Sequence, residues 1–190
     1  MKKRRIILAS GSPRRQELLR VAGIEFEVHP SEYEEDHSLD LDPRQLVQYL
    51  AHGKAAEVAR HYEDAIIIGG DTLAFLDDEP LGKPHTKERA KEMLRKISGK
   101  VHGLRTGFAV LDSGRKRSVV GQELIKVYVK DLSEEVIENY VETGEPLDRA
   151  GAYAIQGLGG ALIEKIEGDI KAMIGLPVEA VLKIVDSFSN

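Results

Sequence analysis

The sequence predicts an α/β protein built on a mixed, twisted sheet with helices on both sides. Three observations point there. The apolar runs at residues 6–9 and 65–70 read as strands buried on both faces. Amphipathic helical stretches interleave with strands, but without the strict alternation of a repeating βαβ chain. The 190 residues contain no repeat, low-complexity tract or flexible linker. They fit a single domain over 1–190, folded as one globule or as two small lobes around a cleft.

The first strand, 6–9, runs into Ser10-Gly11-Ser12-Pro13. Ser12 suits an N-cap, Pro13 the first helical position and Gly23 a C-terminal stop. Residues 25–29 read as a short strand and 30–42 as an acidic polar loop. Asp42-Pro43 opens a second helix, whose apolar positions from Leu46 to Ala59 recur at three- and four-residue spacing. Gly53 interrupts it at a cost of about 1 kcal/mol relative to Ala, which implies close packing or ligand approach. The strand at 65–70 leads directly to Asp71-Thr72. A hairpin turns at 77–80 and returns through Leu81-Gly82-Lys83-Pro84. A helix follows over 86–98, with Thr86 as cap and Gly99 as stop. Two antiparallel strands span 101–111 and 118–129, and another helix spans 133–142. A Gly-rich loop over 144–160, a strand over 161–166 and a closing helix over 176–187 complete the chain.

No apolar run approaches the ~20 residues of a membrane span, and no signal-peptide core is present, so a cytoplasmic protein is expected. The absence of cysteine excludes disulfides, thiolate nucleophiles and Cys-ligated metals. Any metal would be held by oxygen or imidazole, which favours Mg or Mn bound to carboxylates and phosphates. A net charge of −5 argues against nucleic-acid binding, so a phosphorylated ligand must meet a local basic cluster. No Gly-x-Ser-x-Gly elbow, Walker A sequence or zinc-spaced histidine set occurs.

The first strand–helix junction offers such a cluster. Free N–H groups at the helix start, the hydroxyls of Ser10 and Ser12, and the forks of Arg14 and Arg15 suit a phosphate. The two arginines also oppose the helix dipole, a conflict that a bound anion would relieve; as ordinary solvated charges they would need no ligand. Asp71 is expected at a strand end, where ligands of open α/β sheets gather. There a carboxylate can hold a divalent cation or deprotonate water, or simply cap a turn. Thr72 faces the same space. Lys54 lies beside Gly53, and Lys83 sits on the stiff Gly-Lys-Pro backbone. In the acidic run from Glu32 to Asp36, one carboxylate could join Asp71 at a metal. Gln156, with its paired donor and acceptor, could meet the edge of a nucleobase.

Six motifs, Ala9-Ser10-Gly11-Ser12-Pro13-Arg14-Arg15, Gly70-Asp71-Thr72, Leu81-Gly82-Lys83-Pro84, Gly144-Glu145-Pro146-Leu147-Asp148-Arg149-Ala150-Gly151-Ala152-Tyr153, Ile155-Gln156-Gly157 and Gly175-Leu176-Pro177, occur in one order. Their order and spacing resemble the Maf family of nucleoside triphosphate pyrophosphatases. The resemblance implies one Maf-like domain over 1–190 with two lobes around a central cleft, similar to inosine triphosphate pyrophosphatase. It implies Asp71 as catalytic acid–base residue and Glu35 beside it at a Mg or Mn ion, with Lys54 and Lys83 as active-site lysines. Ser10, Ser12 and Arg15 are expected on the phosphates. Arg14, Thr72 and Gln156 match positions associated with substrate choice. Ala-Tyr-x-Ile-Gln-Gly resembles the branch acting on dTTP and UTP. The 7-methyl-GTP branch and a division regulator that binds nucleotide without turnover are the alternatives. Family members are often homodimers. The chain departs from the family at His52-Gly53, expected to loosen the second helix around Lys54, and also at Gly70 and near Ile170-Lys171.

Overall fold

The computed structural model describes residues 4–36 and 38–189 and contains a mixed sheet flanked by helices. Its elements, in order, are β1 (Arg5–Leu8), α1 (Pro13–Val21), β2 (Glu27–Val28), α2 (Pro43–Ala59), β3 (Ala65–Leu76), β4 (Glu79–Leu81) and α3 (Lys87–Ile97). They are followed by β5 (Val101–Asp112), β6 (Arg117–Val129), α4 (Glu134–Glu142), β7 (Ile163–Glu167), α5 (Ile170–Ile174) and α6 (Val178–Ser189). The sheet order is β2-β1-β3-β5-β6-β7, with β4 also paired to β3. β1 runs parallel to both β2 and β3, whereas β4 on β3 and β7 on β6 are antiparallel.

The chain divides into two compact units, one comprising residues 4–72, Arg105–Glu123 and 169–189, the other Leu73–Leu104 and Leu124–Gly168. In the first, strand alternation sorts the core. Leu8, Ile66, Ile68, Phe108 and Val110 pack with Leu19 of α1 and with Val181, Val185 and Phe188 of α6. Ile7, Ala9, Ala65, Ile67, Ala109 and Leu111 pack with Ala51, Ala55 and Val58 of α2. That second layer is thinnest at two glycines of the sheet. A Cβ added at Gly69 would lie 2.4 Å from the Ala51 carbonyl oxygen, and one at Gly107 2.0 Å from that of Val47. α2 therefore rests almost directly on the backbone of β3 and β5.

Below this core, the guanidinium of Arg4 forks onto both oxygens of the buried Asp112 at 2.6 and 2.7 Å. It also reaches Asp64 at 2.6 Å and the Phe188 carbonyl near the end of α6. Arg4 holds the Asp112 carboxyl down at about 2, against the opposing effect of burial and with help from the Arg115 N–H.

The second unit packs α3 against α4. Tyr153 and His102 are both buried and meet at 3.0 Å between the phenol oxygen and Nε2. Burial pushes the His102 imidazole below its usual range, so the folded state favours the neutral ring. The unfolded chain binds this proton more readily, so stability present above about pH 6.5 is lost as pH falls through the depressed folded value. Urea unfolding at about pH 7.5 and 5.5 should show a smaller acid loss in His102→Gln than in the parent chain. Equal losses would assign the acid sensitivity to other groups.

Several expected elements change. β2 shrinks to two residues. β3 continues past Asp71 to Leu76, because Ala74 to Leu76 still alternate in the sheet and pair with β4; Asp71 is therefore inside a strand and not at its end. The loop 144–160 contains 3-10 turns at Glu145–Asp148, Ala150–Ala152 and Leu158–Leu162. The expected closing helix is α6, over Val178–Ser189, and an additional short helix, α5, precedes it, capped by Asp169 and ended by Gly175 at φ 141°. Ser12 occupies the N-cap position of α1 without a side-chain cap bond. α2 runs uninterrupted through Gly53, opened by a reciprocal Asp42–Gln45 capping box.

Candidate active site

Alternation along β3 decides where its polar residues point. Positions 65 and 67 face α2, as does Gly69 against Ala51, and Asp71 continues that series. The close approach of α2 allows a lysine on that helix to reach it. Lys54 Nζ lies 2.7 Å from Asp71 Oδ1 and 2.7 Å from Glu35 Oε1. Asp71 is buried, and its Oδ2 atom is enclosed without a hydrogen-bond partner among the described residues. A buried acceptor of this kind is costly unless a ligand group completes it.

The alternate positions of β3 face α1. A Cβ at Gly70 would lie 3.3 Å from Arg15 Nε. Arg15 donates through Nε to the Gly175 carbonyl at 2.9 Å and through one terminal nitrogen to Ser10 Oγ at 3.0 Å. Its other terminal nitrogen reaches Thr72 Oγ1 at 3.5 Å. The Thr106 hydroxyl donates to the Ala172 carbonyl at 2.7 Å, so its oxygen accepts from Thr72 at 3.0 Å. Burial presses the Arg15 guanidinium down and neighbouring Arg14 adds to this, while the charges of Asp71 and Glu35 oppose both. Arginine stays protonated through such shifts. A desolvated cation is thereby held at Ser10, Thr72 and the Gly175 carbonyl.

All six of Ser10, Arg15, Lys54, Glu35, Asp71 and Thr72 lie in one unit, in two sets of contacts: Arg15 with Ser10 and Thr72, and Lys54 with Glu35 and Asp71. Arg15 reaches Ser10 and Thr72; Arg14 is exposed on α1. The Ser12 backbone N–H meets Ser10 Oγ at 3.3 Å. Lys83 and Gln156 belong to the second unit. Lys83 is half-exposed and paired with Asp148 at 2.7 Å. Gln156 is exposed on a turn, and its loop is pinned from within. Glu145 accepts from Tyr140 at 2.7 Å, from Leu158 N–H at 3.1 Å and from Gly159 N–H at 2.9 Å. These donors hold the Glu145 carboxyl below the usual range despite burial.

Sequence reasoning missed Thr106, although a lone hydroxyl beside the apolar run 108–111 was a readable sign. It also missed Glu57 and Tyr33, which no spacing singles out. Gly53 does not loosen α2. The Tyr33 ring fills the space above it, at 2.4 Å from where a Cβ would stand.

The architecture is shared with the Ham1 protein of Staphylococcus aureus, with a TM-score of 0.51 over 67% of this chain and 73% of that one, at 15% identity. It is a mixed α/β fold with charged groups gathered around a strand carboxylate. More specifically, the chain belongs to the Maf family, whose model, "Maf-like protein", matches residues 5–188. A dTTP/UTP pyrophosphatase of Methanosarcina mazei is 47% identical, covering 96% of this chain and 93% of that protein. One from Desulforamulus reducens is 46% identical over 92% of each, and one from Dictyoglomus thermophilum 45% identical over 93% and 92%.

Proposed function

We propose that this chain hydrolyses nucleoside triphosphates, dTTP and UTP above others, to the monophosphate and pyrophosphate, acting as a single catalytic domain. The observation that carries the chemistry is the buried Oδ2 of Asp71, without a partner among the described residues, beside Lys54, in a Maf-family chain. The substrate comes from the names of its relatives.

Asp71 draws the proton from the attacking water, while Lys54 balances the charge of its carboxylate. The water oxygen forms a bond to the α-phosphorus as the bond from that phosphorus to the bridging oxygen breaks. Pyrophosphate leaves with the electron pair. Arg15 and Ser10, with the first N–H groups of α1 and with Ser12 and Arg14 nearby, take the phosphate oxygens. Lys83 exchanges Asp148 for phosphate charge. Thr72 is fixed through Thr106, and Gln156 reads the base. The unpartnered Asp71 oxygen and the carboxylate of Glu35 are hard donors that suit Mg or Mn, with substrate phosphates completing the ligands. Among the described residues no set of three His, Asp or Glu side chains forms a metal site by itself. When bound by Asp71 and Glu35, such an ion would supply charge neutralisation on the triphosphate.

Among the described residues no helix is long and apolar enough to cross a membrane; the cytoplasm is the proposed location. A homodimer is the proposed assembly.

Purified protein with Mg and a nucleotide panel tests the reading. Pyrophosphate should appear, EDTA should abolish turnover, and UTP and dTTP should outrun ATP and GTP. Gln156→Leu should narrow that preference more than it slows the best substrate, because a site built to pair with a base edge rejects one that leaves its polar groups unpaired. Orthophosphate as the only product would overturn the reaction. Equal turnover of purines and pyrimidines, or a preference for 7-methyl-GTP, would overturn the base assignment alone.

A further inference from the structure

Glu35 sits in an irregular acidic loop, yet it is held at 2.7 Å from Lys54. A loop carboxylate keeps such a position only if its backbone is anchored, and the anchor lies on one stripe of α2. Tyr49, Gly53 and Glu57 are spaced at i, i+4 and i+8, so they line a single helix face. Glu57 Oε2 accepts from the Ser31 hydroxyl at 2.8 Å and from the Glu32 N–H at 3.1 Å. Ser31 Oγ in turn accepts from the Tyr33 N–H at 3.1 Å. The ring of Tyr33 lies over Gly53, filling the space that any side chain there would occupy; a Cβ would stand 2.4 to 2.7 Å from three ring carbons. The Tyr33 phenol is hydrogen-bonded to Tyr49, which pushes it up to about 12. The next residue of the helix after Gly53 is Lys54 itself. The missing side chain at 53, the ring at 33 and the carboxylate at 57 thus seat the loop directly alongside the lysine that Glu35 meets.

We propose that Tyr33, Gly53 and Glu57 form a seat that positions Glu35 against Lys54 and Asp71, making Tyr33 and Glu57 positioning residues for the reaction. This rests on the role given to Glu35 above. Gly53 lowers the helix propensity of α2, and the seat gives that glycine its reason: only a bare Cα lets the ring lie flat enough for the loop to reach the lysine. The ring, more than its hydroxyl, is the contact.

The test uses full-length Glu35→Gln, Tyr33→Ala, Tyr33→Phe, Gly53→Ala and the double variant Glu35→Gln/Tyr33→Ala. UTP turnover and amide hydrogen exchange across residues 31–36 are the two readouts. Tyr33→Ala and Gly53→Ala should each lose about tenfold or more in kcat, since a misplacement of about 1 Å near reacting groups can cost up to 10²-fold. Both should exchange faster at the Glu32 amide, while Tyr33→Phe keeps most of the activity. The double variant should be no slower than Glu35→Gln alone, because the two changes act through one carboxylate. Multiplying losses in the double variant, or a Tyr33→Phe as slow as Tyr33→Ala, would overturn the seat. Unchanged exchange in Tyr33→Ala and Gly53→Ala would also overturn it. Undiminished turnover in Glu35→Gln would instead overturn the role of Glu35, and with it the reading beneath the proposal.

Discussion

Asp71→Asn is expected to fold and to lose at least about two orders of magnitude in turnover, the scale of a lost general base. The substitution keeps the shape of the side chain, and its amide oxygen can still accept from Lys54. Lys54 also keeps Glu35 as a counter-charge at 2.7 Å, so no buried ammonium is left alone. What disappears is the acceptor at the position of Oδ2, where an NH2 group would stand in place of an oxygen that has no partner among the described residues. An amide cannot take a proton from water there, nor can it act as an anionic ligand. Steady-state kinetics on UTP, with circular dichroism as the check on folding, measure this. Near-normal turnover in a folded variant would make Asp71 a structural partner of Lys54 and nothing more.

Arg4→Met should carry the largest stability effect, a loss of about 3 to 5 kcal/mol, as when one partner of a buried ion pair is removed. Asp112 has no exposed side-chain surface, and Arg4 supplies both of the short bonds to its oxygens. Without the guanidinium, Asp112 retains the Arg115 N–H at 2.8 Å and a distant Arg117 at 3.7 Å. The same change releases Asp64 and one of two donors on the Phe188 carbonyl. Against a total stability of about 5 to 15 kcal/mol for a typical protein, such a loss is severe. Urea denaturation at neutral pH measures it. The double variant Arg4→Met/Asp112→Asn should recover part of the loss, since the uncompensated carboxylate is then gone. A shift below about 1 kcal/mol in Arg4→Met would class the pair with exposed salt bridges.

Much of the fold was legible because local chemistry and tertiary packing agree. Pro13, Asp42, Thr86 and Ser133 open helices where their residue types favour it, and Gly23 and Gly99 close helices at φ 74° and 65°. The apolar runs of β1 and β3 are buried on both faces as their composition requires. The misses share a cause. β3 outlasts Asp71 because a strand ends where its neighbour stops pairing, which a local window does not contain. α5 has five residues, too few for a period to show. Asp71, Lys54 and Glu35 entered through the motifs and the resemblance, whereas the contacts of Tyr33 with Gly53 and of Glu57 with Ser31 and Glu32 join segments about twenty residues apart or more, outside any local pattern.

The near-contact of α2 with the sheet also bears on how this protein can be re-engineered. At positions 69 and 107 even one added methyl group meets a main-chain carbonyl, which has no alternative rotamer, so the entire helix would have to recede and carry Lys54 away from Asp71. Saturation libraries spanning these glycines would mostly return inactive clones for mechanical reasons unrelated to catalysis. Diversity intended to retune the carboxylate pair is better confined to the exposed positions Glu34 and Asp36, which leaves both the helix and the anchored residues 31–33 in place.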